Sequence, residues 1–127
     1  MDTSKIYIEM CDHPLVQCDE KGQVTVVLRR EGEAQVMHRG NNVYFWVDEI
    51  TTNPRCVRLL RQDQIQEKLG KTESAFCIYQ AENKWGGEVY QDREQVFSIE
   101  MNSPEQLWLA FYMHEKHKLK WEDGKWQ

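Results

Sequence analysis

A run of seven consecutive apolar residues, Leu107–Met113 (LWLAFYM), is the feature that most constrains how this chain folds. The run follows SPEQ, in which Ser103 can cap the amide of Gln106 and Pro104 suits the first helical position. A helix over 104–118 is therefore predicted. Surface helices carry an apolar stripe and a polar side, whereas this one is apolar around its circumference. It needs cover on every side, either from its own chain or from another chain, of which a homodimer is the simplest version.

The chain ends in KWEDGKWQ, whose Asp123-Gly124 pair is a strong signal for a β-hairpin with a type I′ turn. A two-residue loop puts Trp121 opposite Trp126 in a non-hydrogen-bonded pair, where side chains stand closest. WEDGKW resembles the turn of designed tryptophan-zipper hairpins, a local likeness that implies no function. Because a lone hairpin is marginal in water, we expect the two indoles either to cover the protein's own helix or sheet or to clasp a partner.

Alternating apolar and polar residues predict strands along much of the remaining chain. The predicted strands are KIYIEM (5–10), QVTVVLRR (23–30), EAQVMHR (33–39), VYFWVDEI (43–50), SAFCIYQA (74–81), VYQ (89–91) and VFSIEM (96–101). The stretches CDHPLVQCDEKG and ENKWGGE are predicted as loops, with Glu31-Gly32 as a turn. Short links between successive strands favour an antiparallel meander.

The stretch TTNPRCVRLLRQDQIQEKLGK carries helix punctuation, with caps at Thr52 or Asn53, Pro54 at the start and Gly70 at the end. Two interpretations are open. One is a helix through 55–69, which we favour, and the other is a short strand CVRLL followed by a helix begun by Asp63.

On a helix, the arginines of this stretch would form a stripe, because Arg55, Arg58 and Arg61 are spaced by three. Such a stripe either receives an acidic peptide or phosphate or is a solvated helix face.

These elements together predict an α+β protein in a single domain over residues 1–127. We expect a mostly antiparallel β-meander sheet of six to eight strands, a mid-chain helical segment, a C-terminal helix packed on the sheet and a terminal Trp hairpin. A strand meander followed by a capped helix resembles pleckstrin-homology-type domains at the level of the fold. The mid-chain helix and the hairpin after the last helix depart from that pattern, and the likeness implies no function.

The amino-acid composition limits the kinds of partner that we expect this protein to bind. The formal charge is −5, which argues against nucleic-acid binding and against docking on an anionic membrane, and is compatible with a basic protein partner. No apolar run resembles a signal peptide or approaches the roughly 20 residues that span a bilayer. We therefore expect a cytoplasmic protein with reduced thiols.

The sequence contains only weak motifs for metal binding, catalysis or phosphate binding. Cys11, His13 and Cys18 share one loop, but Cys11 and His13 lie too close together for the usual zinc knuckle, and His114 and His117 are spaced by three rather than four. Gly86-Gly87 is a lone doublet, which we interpret as part of a hairpin loop. No cofactor, metal or catalytic residue is predicted.

The favoured function is that of a small acidic binding or regulatory protein acting through protein–protein contacts. The predicted contact residues are Leu109, Tyr112, Met113, Trp121, Trp126 and Trp85. An inhibitor or immunity-type protein is a special case, which predicts a surface cluster of the carboxylates Asp12, Asp19, Glu20, Asp48 and Glu49. One alternative is a ligand-binding or enzymatic domain with a pocket on the sheet face, using Trp46, Tyr44 or His38. A structural subunit of a homo-oligomer is the other.

Overall fold

The computed structural model describes residues 1–18, 34–47 and 55–127. The predicted strand 23–30, the turn at Glu31-Gly32 and the helix start at 52–54 lie outside the described residues. The chain is α+β, as predicted. It divides into two compact units, each described by itself: an N-terminal unit, Thr3–Leu60, and a C-terminal unit, Met1–Asp2 with Arg61–Gln127. The single domain stays a prediction.

The helices and strands follow the chain in this order. The N-terminal unit contains α1 (Lys5–Cys11), α2 (Pro14–Gln17), β1 (Val36–Arg39), β2 (Asn42–Val47) and β3 (Arg55–Leu59). The C-terminal unit contains α3 (Gln62–Leu69), β4 (Ala75–Ala81), β5 (Lys84–Gln91), β6 (Glu94–Met101), α4 (Pro104–His117), β7 (Trp121–Glu122) and β8 (Lys125–Trp126). Among the described residues, the strands form the antiparallel sheets β1-β2-β3 and β4-β5-β6 and the hairpin β7-β8, rather than one sheet of six to eight strands.

The first element, KIYIEM, is helix α1, so its prediction as a strand is wrong. The Ser4 hydroxyl accepts the amide of Tyr7 at 3.3 Å and caps the helix. Tyr7, Met10 and Cys11 are buried and share a helix face, while Ile6 is 42% exposed. The same stretch also fits a helix, because Tyr7 lies on one helix face with Met10 and Cys11, whereas the strand pattern places Tyr7 on its polar side.

The predicted loop after α1 contains the short helix α2, which is tied to sheet β1-β2-β3 by one side chain. The Gln17 amide oxygen accepts the backbone N–H of Arg58 at 2.9 Å, and its Nε2 donates to the carbonyl of Arg58 at 3.0 Å. This amide therefore occupies the place that a neighbouring strand would take on β3.

The mid-chain segment is a strand followed by a helix, so the favoured continuous helix over 55–69 is wrong and the alternative is correct. Arg55 and Arg58 lie in β3, and the three arginines therefore share no helix. Helix α3 begins at Gln62 and ends at Leu69, and its C-cap is Gly70, whose φ of +65° suits a residue without a Cβ.

Strand β5 contains Trp85 and the Gly86-Gly87 doublet, so the predicted loop ENKWGGE and the hairpin-loop interpretation of the doublet are wrong. The turn lies at residues 82–83 instead. Glycine inside a strand often marks a close approach of another group. A Cβ on Gly87 would lie 2.3 Å from Cζ of Phe111, so α4 packs directly onto this glycine.

Helix α4 is confirmed, and so is its packing on the sheet. The Ser103 hydroxyl accepts the amide of Gln106 at 3.2 Å. Strands β5 and β6 and helix α3 contact α4, and every residue of Leu107–Met113 is buried except the half-buried Trp108. The chain itself supplies the cover that the apolar run requires.

The helix ends at Lys118, which adopts the left-handed conformation with φ +57°. The amide of Leu119 then donates to the carbonyl of Met113 at 3.1 Å. This left-handed residue turns the chain from α4 into the terminal hairpin.

Candidate functional site

Half of the predicted contact residues lie in the interior. Leu109 and Met113 are fully buried and Tyr112 is 6% exposed. His117 Nε2 lies 3.4 Å from the Tyr112 hydroxyl, and Lys68 Nζ lies 5.4 Å from the centre of its ring. A partner could contact these three side chains only if the elements packed on α4 moved away from it.

The terminal hairpin forms as predicted. Lys120 and Gln127 exchange backbone hydrogen bonds of 2.8 and 2.9 Å, so the next pair, Trp121 opposite Trp126, is non-hydrogen-bonded. The two rings meet edge to face, with centroids 5.1 Å apart and an interplanar angle of 66°. Asp123 and Gly124 have φ values of +54° and +73°, as a type I′ turn requires.

A groove of about 340 Å³ lies where the hairpin meets strand β6. Its lining comprises residues 95–99 of β6 together with Lys120, Trp121 and Glu122. Successive side chains of a strand point to opposite faces, so five consecutive lining residues mean that the groove follows the backbone edge of β6. We call this feature the hairpin groove.

A β-bulge shapes the β6 wall of the hairpin groove. Phe97 pairs with Val89 and Gln95 pairs with Tyr90, which leaves Val96 as an extra residue. Bulges re-aim side chains and interrupt strand pairing. Val96 is accordingly 46% exposed.

Aromatic packing supports the groove from below. Phe97 is buried and stacks on His114, with ring centroids 4.1 Å apart and an interplanar angle of 12°. Lys120 Nζ lies 5.8 Å from the centre of the Phe97 ring. Burial lowers the pKa of His114 below its usual 6.5 and outweighs the opposing effect of Glu115, whose Oε1 is 3.8 Å from Nδ1. The imidazole beneath the groove is therefore neutral at pH 7.

Trp85 lies apart from the residues that line the hairpin groove. It is half-buried in β5, where it pairs with Gln80 and Met101. The predicted aromatic surface therefore reduces to Trp121 and Trp126, both half-buried. Sequence reasoning missed Gln95, Val96 and Ser98, because no local signal indicates which strand the hairpin will lie beside.

A second cavity, of about 220 Å³, lies near the loop before β4. Glu115 accepts hydrogen bonds from Ser74 Oγ at 3.0 Å and Thr72 Oγ1 at 3.3 Å, and Gln91 Nε2 donates to Ser74 Oγ at 2.9 Å. These hydroxyls already donate to the carboxylate. The network holds the loop against α4 rather than presenting unused donors to a ligand.

Within the described residues, the candidates for metal binding form no ligand group, and two of the three candidates for a pocket on the sheet face are buried. Within residues 1–18, 34–47 and 55–127, no group of three or more His, Cys, Asp or Glu could hold a metal ion. Tyr44 and Trp46 are buried in a cluster with Met37, whereas His38 is exposed. Of the predicted carboxylate cluster, Asp12 lies within the described residues, and Asp19, Glu20, Asp48 and Glu49 lie outside them.

Compared with models of protein families, with curated proteins and with solved structures, the chain has no match. In the part of the chain that the structure describes, no helix is both long and apolar enough to cross a membrane.

Proposed function

We propose that this protein is a small binding protein that acts through protein–protein contacts, with the hairpin groove as its contact site. The observation that supports this function is the groove itself, which joins an exposed strand edge to a preformed Trp pair. Its volume of about 340 Å³ is at the low end of ligand pockets and suits side chains of a partner protein.

Trp121 is the anchor of the proposed contact. Tryptophan is enriched among the residues that contribute most to interface energy. Its edge-to-face contact with Trp126 restrains the ring before binding, which lowers the entropy lost when a partner docks. Around it, Gln95, Ser98 and Glu122 provide polar groups, an arrangement typical of an interface rim.

Net charge supports a basic partner. The formal charge of −5 attracts a positively charged protein over a long range and raises the association rate at low salt. An inhibitor or immunity-type protein that masks a basic enzyme is the special case of this proposal, and it predicts an association rate that falls as salt is added.

The test is comparative capture from extracts of the native source. Ser98→Arg fills the hairpin groove with a long side chain, and Gln66→Arg adds the same charge on the exposed side of α3, outside the groove. Wild type and Gln66→Arg should retain the same partner, and that partner, once purified, should bind Ser98→Arg at least tenfold more weakly. Equal binding by a folded Ser98→Arg protein would refute the groove as the contact site.

A further inference from the structure

The edge strands of the two three-stranded sheets differ in how their free backbone groups are protected. An exposed edge presents unpaired N–H and C=O groups, and proteins commonly protect it with bulges, charges or covering segments. The edge of β3 is occupied at Arg58 by the Gln17 amide. The edge of β6 carries the bulge at Val96, with Glu94 and Glu100 in the same strand.

Within the part of the chain that the structure describes, strand β4 has none of these protections. Its sequence, AFCIYQA, contains no charged residue and no proline, and it pairs with β5 over its whole length without a register shift. Among the described residues no strand pairs with its other edge. Ala75, Cys77, Tyr79, Gln80 and Ala81 are exposed. Such an edge is a site for pairing with another strand.

The register identifies which backbone groups point away from β5. Ala81 pairs with Lys84 across a two-residue loop, and the pair that closes such a loop is hydrogen-bonded. Because hydrogen-bonded and non-hydrogen-bonded pairs alternate along an antiparallel ladder, Phe76, Ile78 and Gln80 are the residues whose N–H and C=O groups face outward.

We infer that a second copy of this chain adds its own β4 antiparallel to this edge, about a twofold axis at Ile78. Each Ile78 then exchanges two hydrogen bonds with its counterpart, and Phe76 does so with Gln80 of the second copy. On the exposed face, Cys77 lies opposite Tyr79 and Ala75 opposite Ala81. The pairing joins two copies of the sheet β4-β5-β6 into one continuous sheet.

The composition of β4 suits a second copy of the same strand as the occupant, because pairing about Ile78 places only uncharged side chains opposite each other. Two chains of net charge −5 repel each other, and like charges directly opposite destabilise a strand pair. Pairing of β4 with itself brings no charged side chains opposite each other, and each strand supplies the donors that the other accepts. This inference is independent of the hairpin groove, which lies at the opposite edge of the sheet.

Light scattering over a concentration series tests the pairing. We expect the wild-type mass to rise from 15.2 kDa toward twice that value. Ala75→Glu/Ala81→Glu places like charges opposite each other at both ends, whereas Ala75→Lys/Ala81→Glu places opposite charges there. Both variants put Glu opposite Lys84 within the chain, so their intramolecular pairing at that end is matched. The two dissociation constants should differ on the order of tenfold or more.

A cross-link tests the register. Tyr79→Cys places a new thiol opposite Cys77 of the second copy, in a non-hydrogen-bonded pair with Cα atoms about 4.5 Å apart, within the range of disulfides. Oxidised glutathione should convert this variant to a covalent dimer. Ala81→Cys, which faces Ala75 of the second copy, should cross-link much less. A monomeric wild type at every concentration, equal dimerisation of the two charge variants, or equal cross-linking of the two cysteine variants would overturn the inference.

Discussion

Substituting one glycine of the Gly86-Gly87 doublet tests how closely α4 lies on the sheet. A Cβ on Gly87 would lie 2.3 Å from Cζ of Phe111 and 2.8 Å from Cδ1 of Leu107. Both side chains are fully buried. The Phe111 ring is stacked on Phe76 at a centroid distance of 4.7 Å, so it cannot move aside without disturbing its neighbours.

The expected cost of Gly87→Ala follows from two opposing effects. Overpacking a core costs about 1–3 kcal/mol. Replacing glycine by alanine restricts the unfolded chain and returns about 0.4–1 kcal/mol. The packing effect is larger, so Gly87→Ala should lower the free energy of unfolding by roughly 1–2 kcal/mol. For a chain of this size that is a fall in Tm of roughly 3–10 °C.

Gly86→Ala is the matched control, because it makes the same chemical change one residue earlier. Its Cβ would meet the ring of Tyr79, 2.3 Å from Cζ, but that side chain is 42% exposed and can swing into solvent. We expect its free energy of unfolding to stay within about 0.5 kcal/mol of wild type. Urea unfolding followed by circular dichroism measures both variants. If Gly87→Ala were as stable as wild type, or Gly86→Ala the more damaging change, the close packing of α4 on Gly87 would be wrong.

Three further predictions concern α4 and the hairpin. Ser103→Ala removes the cap of α4 and should lower the free energy of unfolding by about 1 kcal/mol. Ser103→Thr keeps the hydroxyl, which also donates to Asp2, and should retain most of the wild-type stability; equal losses in urea unfolding would contradict the capping role. Burial lowers the pKa of His114, so the imidazole binds a proton more readily in the unfolded chain than in the folded protein. The free energy of unfolding therefore keeps its full value above pH 6.5 and falls as the pH drops through the folded pKa. His114→Phe keeps the stack on Phe97 and should flatten that dependence of Tm on pH, and an unchanged slope would contradict it. Gly124→Ala introduces a strain of about 1 kcal/mol at a residue with φ +73°. It should weaken the near-ultraviolet circular dichroism of the Trp121–Trp126 pair, and an unchanged signal would contradict this prediction.

Local signals carried the successful sequence predictions. The start of α4 is specified by Ser103 and Pro104, and the hairpin turn by Asp123-Gly124, within a few residues of each element. The need for cover around Leu107–Met113 also followed from the sequence, because it depends on helix geometry alone. These elements require no knowledge of what lies far along the chain.

The errors arose where distant contacts decide the structure. Gly86-Gly87 is interpreted locally as a turn, but the doublet lies in strand β5, where Tyr79 and Phe111 occupy the space that a Cβ would need. KIYIEM fits both a strand and a helix, and burial of Tyr7 selects the helix.

The candidate site was predictable only in part. Trp121 and Trp126 were identified by their place in the hairpin, but the groove also needs the edge of β6, which the bulge at Val96 shapes. A bulge is defined by the register of two strands, and no residue pattern within β6 alone reveals it. Leu109 and Met113 were chosen for their apolar character, which cannot distinguish a core position from a contact surface.

The left-handed backbone of Lys118 sets the direction in which the chain leaves α4 and enters the hairpin. A residue with a side chain is held there at a cost of roughly 1–2 kcal/mol, while glycine would adopt the same angles without strain. If Lys118 relaxed to right-handed angles, α4 would lengthen and the chain beyond it would leave in a new direction, carrying Lys120 and Trp121 away from β6. The position of Lys120 and Trp121 beside β6 thus depends on the backbone angles of Lys118, a residue that does not line the groove.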